Sequence, residues 1–328
     1  MECLNQVVLN FDFCHCIERE GFVFTSITEP ANILDAIVIR SPEDSVSITP
    51  IKSFSKRTLE DHIKFVNENK LEKACIIAEK IDFILQCPSL KYLQIIPAKS
   101  APDQFDYSPL YSMPEIRYLT AETEYRDHFE PTVTTLDYSC INGLKEVSMS
   151  GEGHLNINKL KNVSVLNISE QKFPCFDDME CHESLKRLDL LKTGIITLKG
   201  IGRFNQLQCL NLSYERKLKD ISEIIELSGT LRALFLENCP KINDFSFLNY
   251  LVNLEHLELW GSNKISNLDF LNKMPNLKTF TFSMEIESGD LTPCLNVPYV
   301  WCKKGKKHYN LKDRDLPKNN CIGGFELI

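Results

Sequence analysis

Apolar and polar positions along this chain fall into a six-residue unit, L-x-x-L-x-L, with other aliphatic or aromatic residues taking the same places. It reads LEKACI at 71–76, LKYLQI at 90–95, IRYLTA at 116–121, LKEVSM at 144–149 and VSVLNI at 163–168. It continues as LKRLDL at 185–190, LQCLNL at 207–212, LRALFL at 231–236, LEHLEL at 254–259 and LKTFTF at 277–282. VPYVWC at 297–302 is a degenerate last copy. From Leu90 to Leu277 successive copies start 26, 28, 19, 22, 22, 24, 23 and 23 residues apart. Three apolar positions arise often by chance; near-constant spacing over five consecutive copies, Leu185 to Phe282, does not, and it marks a stacked repeat.

Side chains alternate across a strand, so the last two apolar residues of each unit share one face and predict a short strand. The first, three residues earlier, turns inward on the approach. One unit cannot bury its own apolar face, whereas stacked copies form a parallel sheet over a continuous core. Each buried leucine is worth roughly 1.5–3 kcal/mol. The return segments add Ile242, Phe245 and Phe247 in one copy and Ile265, Leu268 and Leu271 in the next. These returns are too short for long helices and predict 3-10 turns or short helical pieces on the far side.

The pattern resembles the leucine-rich repeat family, in the short class of about 22 residues found in internalins and phosphatase-regulating repeat proteins. The resemblance is carried by LRALFLENC, which puts Cys239 at the family's Asn/Cys position, and by the stretch 239–282, and it covers residues 71–302. It implies an α/β solenoid with a parallel sheet on the concave face. It also implies a module that binds a protein partner through that face without catalysis. The chain departs from the family where Thr193, Glu215, Ser262 and Glu285 stand in place of asparagine. Other groups or water must satisfy the turns there.

Outside the repeat the pattern changes. QVVLNFDFCHC at 6–16 and FVFTSI at 22–27 read as strands around the turn EREG at 18–21, and LDAIVI at 34–39 as another strand or divergent repeat. Thr58 with Asp61 resembles a capping box opening a short amphipathic helix, with Leu59, Ile63 and Val66 on its apolar face. Residues 1–70 are therefore expected to form an α/β cap and 303–328 a C-terminal cap or tail. The long intervals 97–114 and 123–143 are expected to hold projecting loops.

Composition and charge narrow the function classes. With 43% hydrophobic and 25% charged residues the chain is no disordered polymer. Its formal net charge of -8 argues against general phosphate-backbone binding. The basic cluster KKGKKH at 303–308 is followed by the acidic Asp313 and Asp315, which weakens it as a nucleic-acid site. The first residues lack a secretory pattern, and no apolar run reaches the roughly 18 residues of a membrane span. Thirteen scattered cysteines without a Cys-x-x-Cys pair suit reduced thiols in a cytoplasmic protein. Asn162, Asn167 and Asn211 begin Asn-x-Ser triplets, but two of them fall within strands and are not expected to be glycosylated.

Candidate chemistry is sparse. His256-x-Glu258 resembles the start of a zinc-deaminase motif, yet downstream Val297 stands where P-C-x-x-C needs its second cysteine. Cys14 and Cys16 share a strand face from which His15 points away, and have no matching second pair. GEGH at 151–154 is too short to cradle a phosphate, and Asp177 with Asp178 read as solvated neighbours. No metal, cofactor or catalytic residue is implied.

What the repeat does offer is a face. Its outward positions include Arg187, Asp189 and Leu191; Cys209, Asn211 and Ser213; and Ala233, Phe235 and Glu237. They continue with His256, Glu258 and Trp260, then Thr279, Thr281 and Ser283, and end with Tyr299, Trp301 and Lys303. Register places Phe235 beside His256 or Glu258, and Trp260 near Glu237 and Ser283. An aromatic and acidic patch on a small, polar surface is the composition of a protein-binding hot spot. The rival readings are an activity seated in the N-terminal 70 residues, with the repeats used for targeting, and a surface adhesin of internalin type.

Overall fold

A computed structural model describes residues 17–27, 34–40, 57–98, 101, 104–126, 131–172, 175–177, 179 and 183–319. The strand read at 6–16, with Cys14, His15 and Cys16, lies outside them, as does Asp178. The chain divides into two compact units, Met1–Leu160 and Lys161–Ile328.

The first unit opens with a hairpin of β1 (Ile17–Arg19) and β2 (Phe22–Thr25). Its turn residues Glu20 and Gly21 have φ of 54° and 82°, the left-handed pair that matches strand twist in a two-residue loop. β2 runs antiparallel to β3 (Ala36–Arg40). From there every pairing is parallel, through β4 (Lys73–Ala78), β5 (Tyr92–Pro97), β6 (Tyr118–Glu122) and β7 (Glu146–Ser150). β2 to β5 bury both faces, since Val23, Val38, Cys75, Ile77 and Ile96 form a second apolar cluster. Strands buried on both sides read as continuous apolar runs, which is why the repeat signal fades there.

Helix α1 (Leu59–Asn69) starts at the expected capping box: Asp61 N donates to Thr58 Oγ1 at 3.2 Å and Thr58 N to Asp61 Oδ2 at 3.0 Å. Of the expected face, Val66 is buried and Ile63 half-buried, and only Leu59 is exposed. Leu59 is 39% exposed, while His62 and Val66 are buried and Phe65 stacks on Phe22 with centroids 4.1 Å apart. His62 meets the same Phe22 ring edge-on at 5.1 Å, so the aromatic of the hairpin selects the face. The interval 97–114 also departs from expectation. Phe105, Tyr107, Leu110 and Met113 are all buried around the 3-10 turn Ser108–Ser112, so residues 105–113 pack inward rather than projecting. Within 123–143, Glu124–Arg126 and Pro131–Val133 pair as an antiparallel hairpin.

Among the described residues the second unit contributes seven parallel strands to its main sheet: β8 (Val165–Ser169), β9 (Arg187–Leu191), β10 (Cys209–Ser213), β11 (Ala233–Glu237), β12 (His256–Trp260), β13 (Thr279–Phe282) and β14 (Tyr299–Cys302). Each strand begins at the third residue of its sequence unit. The fourth and sixth residues enter the core: Leu210 and Leu212, Leu234 and Leu236, Leu257 and Leu259 are all at most 1% exposed. The returns are 3-10 turns at Ile201–Arg203, Ser222–Leu227, Ser246–Asn249, Asp269–Lys273 and Thr292–Asn296. This is the leucine-rich-repeat fold that the spacing predicts.

Two turn devices recur between the strands. Directly after β8, β9, β10 and β11 stand Glu170, Lys192, Tyr214 and Asn238, each in the left-handed region with φ of 51° to 58°. Their backbone N–H groups donate to the last carbonyl of the next strand, at Leu191, Ser213, Glu237 and Trp260. The substitutes for the asparagine ladder come next. Glu215, fully buried, accepts from Thr193 N at 2.8 Å, Thr193 Oγ1 at 3.0 Å and Gly194 N at 3.0 Å. In the β12 copy the ladder side chain is Asn263, not Ser262: its Nδ2 donates to Cys239 O at 3.1 Å and Ile242 O at 2.7 Å. Gly261, with φ of 150°, lies between β12 and that ladder residue.

An edge strand exposes unpaired backbone groups that invite association. Beyond β14 the chain returns to cover them. Val300 N donates to Pro317 O, Asn319 N to Pro298 O, and Cys302 N to Asp313 Oδ1. Asn310 accepts from Leu291 N, and Tyr309 accepts from Ile286 N.

Candidate functional site

The face of β9 to β14 away from the 3-10 turns presents three rows of side chains. The middle row runs Asp189, Asn211, Phe235, Glu258, Thr281, Trp301 by direct register. One row beyond stand Leu191, Ser213, Glu237 and Trp260. The third row is Arg187, Cys209, Ala233, His256, Thr279 and Tyr299.

The face is more crowded than strand alternation alone implies. Asp189, Asn211, His256 and Glu258 are between 6% and 9% exposed. Arg187, Phe235, Glu237, Trp260, Tyr299 and Trp301 are half-buried. Arg187 turns along its own strand, donating from Nε to Asp189 Oδ2 at 2.6 Å, so that end of the face is a neutral ion pair. Ser213 Oγ donates to Asn211 Oδ1 at 2.9 Å.

At the other end the two indoles meet. Trp260 and Trp301 lie edge to face, centroids 6.0 Å apart and planes at 85°. Trp260 reaches across β13, donating from Nε1 to Thr281 Oγ1 at 3.1 Å, which helps leave Thr281 only 1% exposed. Lys303 Nζ sits over both rings, 4.5 Å from the Trp260 centroid and 5.8 Å from that of Trp301. The lysine holds this place because the chain stays in register past β14, its N–H donating to Phe282 O at 2.9 Å. In the sequence Lys303 belongs both to the basic cluster and to the end of the face. The periodicity of leucines could not show it folded onto the indoles.

The carboxylates complete the cluster. Burial pushes the Glu258 carboxyl up to about 7, and repulsion from Glu237 adds to this. The hydrogen bond from Thr281 and the charge of Lys303 act against the rise. Burial also lowers the His256 imidazole, against the pull of Glu255. His256 and Glu258 flank the buried Leu257 and share the face. Cys294, the cysteine of the downstream Pro-Cys, is buried in a 3-10 turn with its thiol pushed up to about 12. Among the described residues no group of three or more His, Cys, Asp or Glu side chains is placed to hold a metal ion. Cys209, though on the face, is 2% exposed, and burial drives its thiol far up, which disfavours the thiolate.

What this arrangement can do is bind: it offers ring faces, two carboxylates and a lysine on a rigid sheet. Its setting is a leucine-rich-repeat fold. No family model matches the chain, and no curated protein does. Among solved structures it is similar to an internalin, inlF, of Listeria monocytogenes, at 14% identity and a TM-score of 0.45 over 70% of this chain and 72% of that one. It is also similar to the LRR protein LIC12759 of Leptospira interrogans, at 16% identity and a TM-score of 0.42 over 72% and 73%. No helix among the described residues is long and apolar enough to cross a membrane.

Proposed function

We propose that this chain is a non-catalytic interaction module whose open sheet face docks a protein partner. Phe235, Glu237, Glu258, Trp260 and Trp301 lie at the centre of the docking surface, with Arg187, Asp189, Asn211 and His256 flanking them. The observation that carries the reading is the Trp260–Trp301 corner. Two large rings stand half-exposed on a face whose core duties are already met by the leucines behind it. Half-buried aromatics on a rigid frame are where binding energy concentrates, because they lose little conformational freedom and much water on docking.

The proposal includes a reduced, cytoplasmic setting. Eight cysteines among the described residues are free thiols, six of them buried. No cofactor is assigned. The test is capture of partners from the source cell by wild-type protein and by the double variant Phe235→Ala, Trp260→Ala. The variant is expected to fold normally, because neither side chain fills the core, and to lose the captured partner. Undiminished capture by the folded variant overturns the assignment of the face.

A further inference from the structure

The aromatic corner already holds a cation, and that cation belongs to the chain itself. Lys303 is exposed, yet its ammonium rests over the Trp260 ring at 4.5 Å and within 5.8 Å of the Trp301 ring. A cation over an indole face is held by the ring quadrupole, at exposed sites weakly enough to exchange. Around it stand two acidic side chains. Glu237 stands directly opposite Trp260 in register, and Glu258 shares the same face two residues before Trp260 on β12. The two carboxylates repel one another, and Lys303 relieves that repulsion only in part. With Lys303 swung into solvent, the corner would present two ring faces and two carboxylates to whatever replaced it. The chain as a whole, at formal net charge -8, attracts basic partners at a distance.

We propose that the Trp260–Trp301 corner is a receptor for a lysine or arginine side chain on a basic segment of the partner, with Lys303 as the internal occupant that the partner displaces. This rests on the reading of the open face as the docking surface and names the chemistry that the surface selects. Glu237 and Glu258 supply charge complementarity, the indoles supply the faces, and Lys303 shows that an ammonium fits. Displacing an internal ligand lowers apparent affinity and raises selectivity, since a neutral segment gains nothing by expelling Lys303.

The chain offers a direct readout. Its two tryptophans are Trp260 and Trp301, so all indole fluorescence reports on this corner. The experiment titrates the purified full chain with a short oligolysine peptide and, separately, with an oligoglutamate peptide of equal length, following tryptophan emission. Oligolysine is expected to change the emission saturably, and oligoglutamate to leave it unchanged. Lys303→Ala empties the corner and is expected to tighten oligolysine binding about 2- to 5-fold, the range set by an exposed cation–π contact. Lys304→Ala removes the same charge from the neighbouring exposed residue and controls for net charge. It is expected to change affinity by less than half of the Lys303 effect. Glu237→Gln with Glu258→Gln is expected to weaken oligolysine binding at least 10-fold, with circular dichroism confirming that the variant is folded.

The proposal is overturned if oligolysine leaves the emission unchanged, if oligoglutamate is the peptide that binds, or if Lys303→Ala and Lys304→Ala act alike. These outcomes are separate from failure of the docking reading. Partner capture that survives Phe235→Ala, Trp260→Ala moves the docking surface elsewhere. Capture lost in that variant, with oligolysine silent, leaves the surface in place and refutes the cationic partner.

Discussion

Two buried glutamates on the second unit face different surroundings. Glu215 has backbone and side-chain donors around its carboxylate, from Thr193 and Gly194, and acts as the ladder group of its turn. Glu215→Ala leaves those N–H groups buried without an acceptor. It is expected to cost about 1–3 kcal/mol in denaturant unfolding, with Glu215→Gln losing less. An alanine variant as stable as wild type would show that the carboxylate is dispensable there. Glu258 has one hydrogen bond, from Thr281, and a repelling neighbour, so its folded-state value of about 7 stands above the ordinary 4.5. A carboxyl raised on folding stabilises the protein fully below the ordinary value and loses that contribution as pH climbs through the raised one. Between pH 4.5 and 7 the wild type should therefore lose stability through this group, by on the order of 3 kcal/mol at most. In Glu258→Gln that part of the pH dependence is absent, which unfolding at pH 5 and pH 8 would reveal. Equal pH dependence in the two proteins would contradict the burial argument. Glu215 was legible in the sequence as a departure from asparagine, but its use as a substitute acceptor was not, because ladder chemistry depends on atoms one coil away.

At the scale of elements, the strands were the legible part. Each of the second unit's copies from Leu185 onward places its strand at the third residue of the unit, where alternation puts it. The same logic fails for elements whose partners are not periodic. The face of α1 follows Phe22, an aromatic some forty residues away in the chain, and a helical wheel does not contain that ring. The interval 97–114 looked like a loop because its anchors, Phe105, Tyr107, Leu110 and Met113, follow no repeat spacing. The register itself can be broken in one place. Leu257 is fully buried between Leu234 and Phe280 on the flanking strands. Leu257→Asp puts an unpaired charge there and is expected to cost about 4 kcal/mol or more, enough to unfold the central coils. A cooperative melt indistinguishable from wild type would show that position 257 does not face the core.

For the whole molecule, the repeat places chemistry by stacking rather than by motif. His256 and Glu258 look like half of a metal site when read along the chain. Read across the strands, Glu258 lies between Phe235 and Thr281, and His256 between Ala233 and Thr279. The candidate face was legible in the sequence because strand register carries over from coil to coil. Its crowding, the Arg187–Asp189 pair and the folded-back Lys303 were not, because they depend on side-chain directions that alternation leaves free. The opposite side of the second unit also shows large apolar side chains, with Tyr250 61% and Leu295 48% exposed on the 3-10 turns. Those two residues supply the control for the central claim. The decisive measurement is the dissociation constant of the purified partner for three proteins: wild type, Phe235→Ala with Trp260→Ala, and Tyr250→Ala with Leu295→Ala. Docking on the open face predicts weakening of about 30-fold or more in the first variant and a change of about 2-fold or less in the second. The reverse order, with the 3-10 side variant losing the partner, would contradict it.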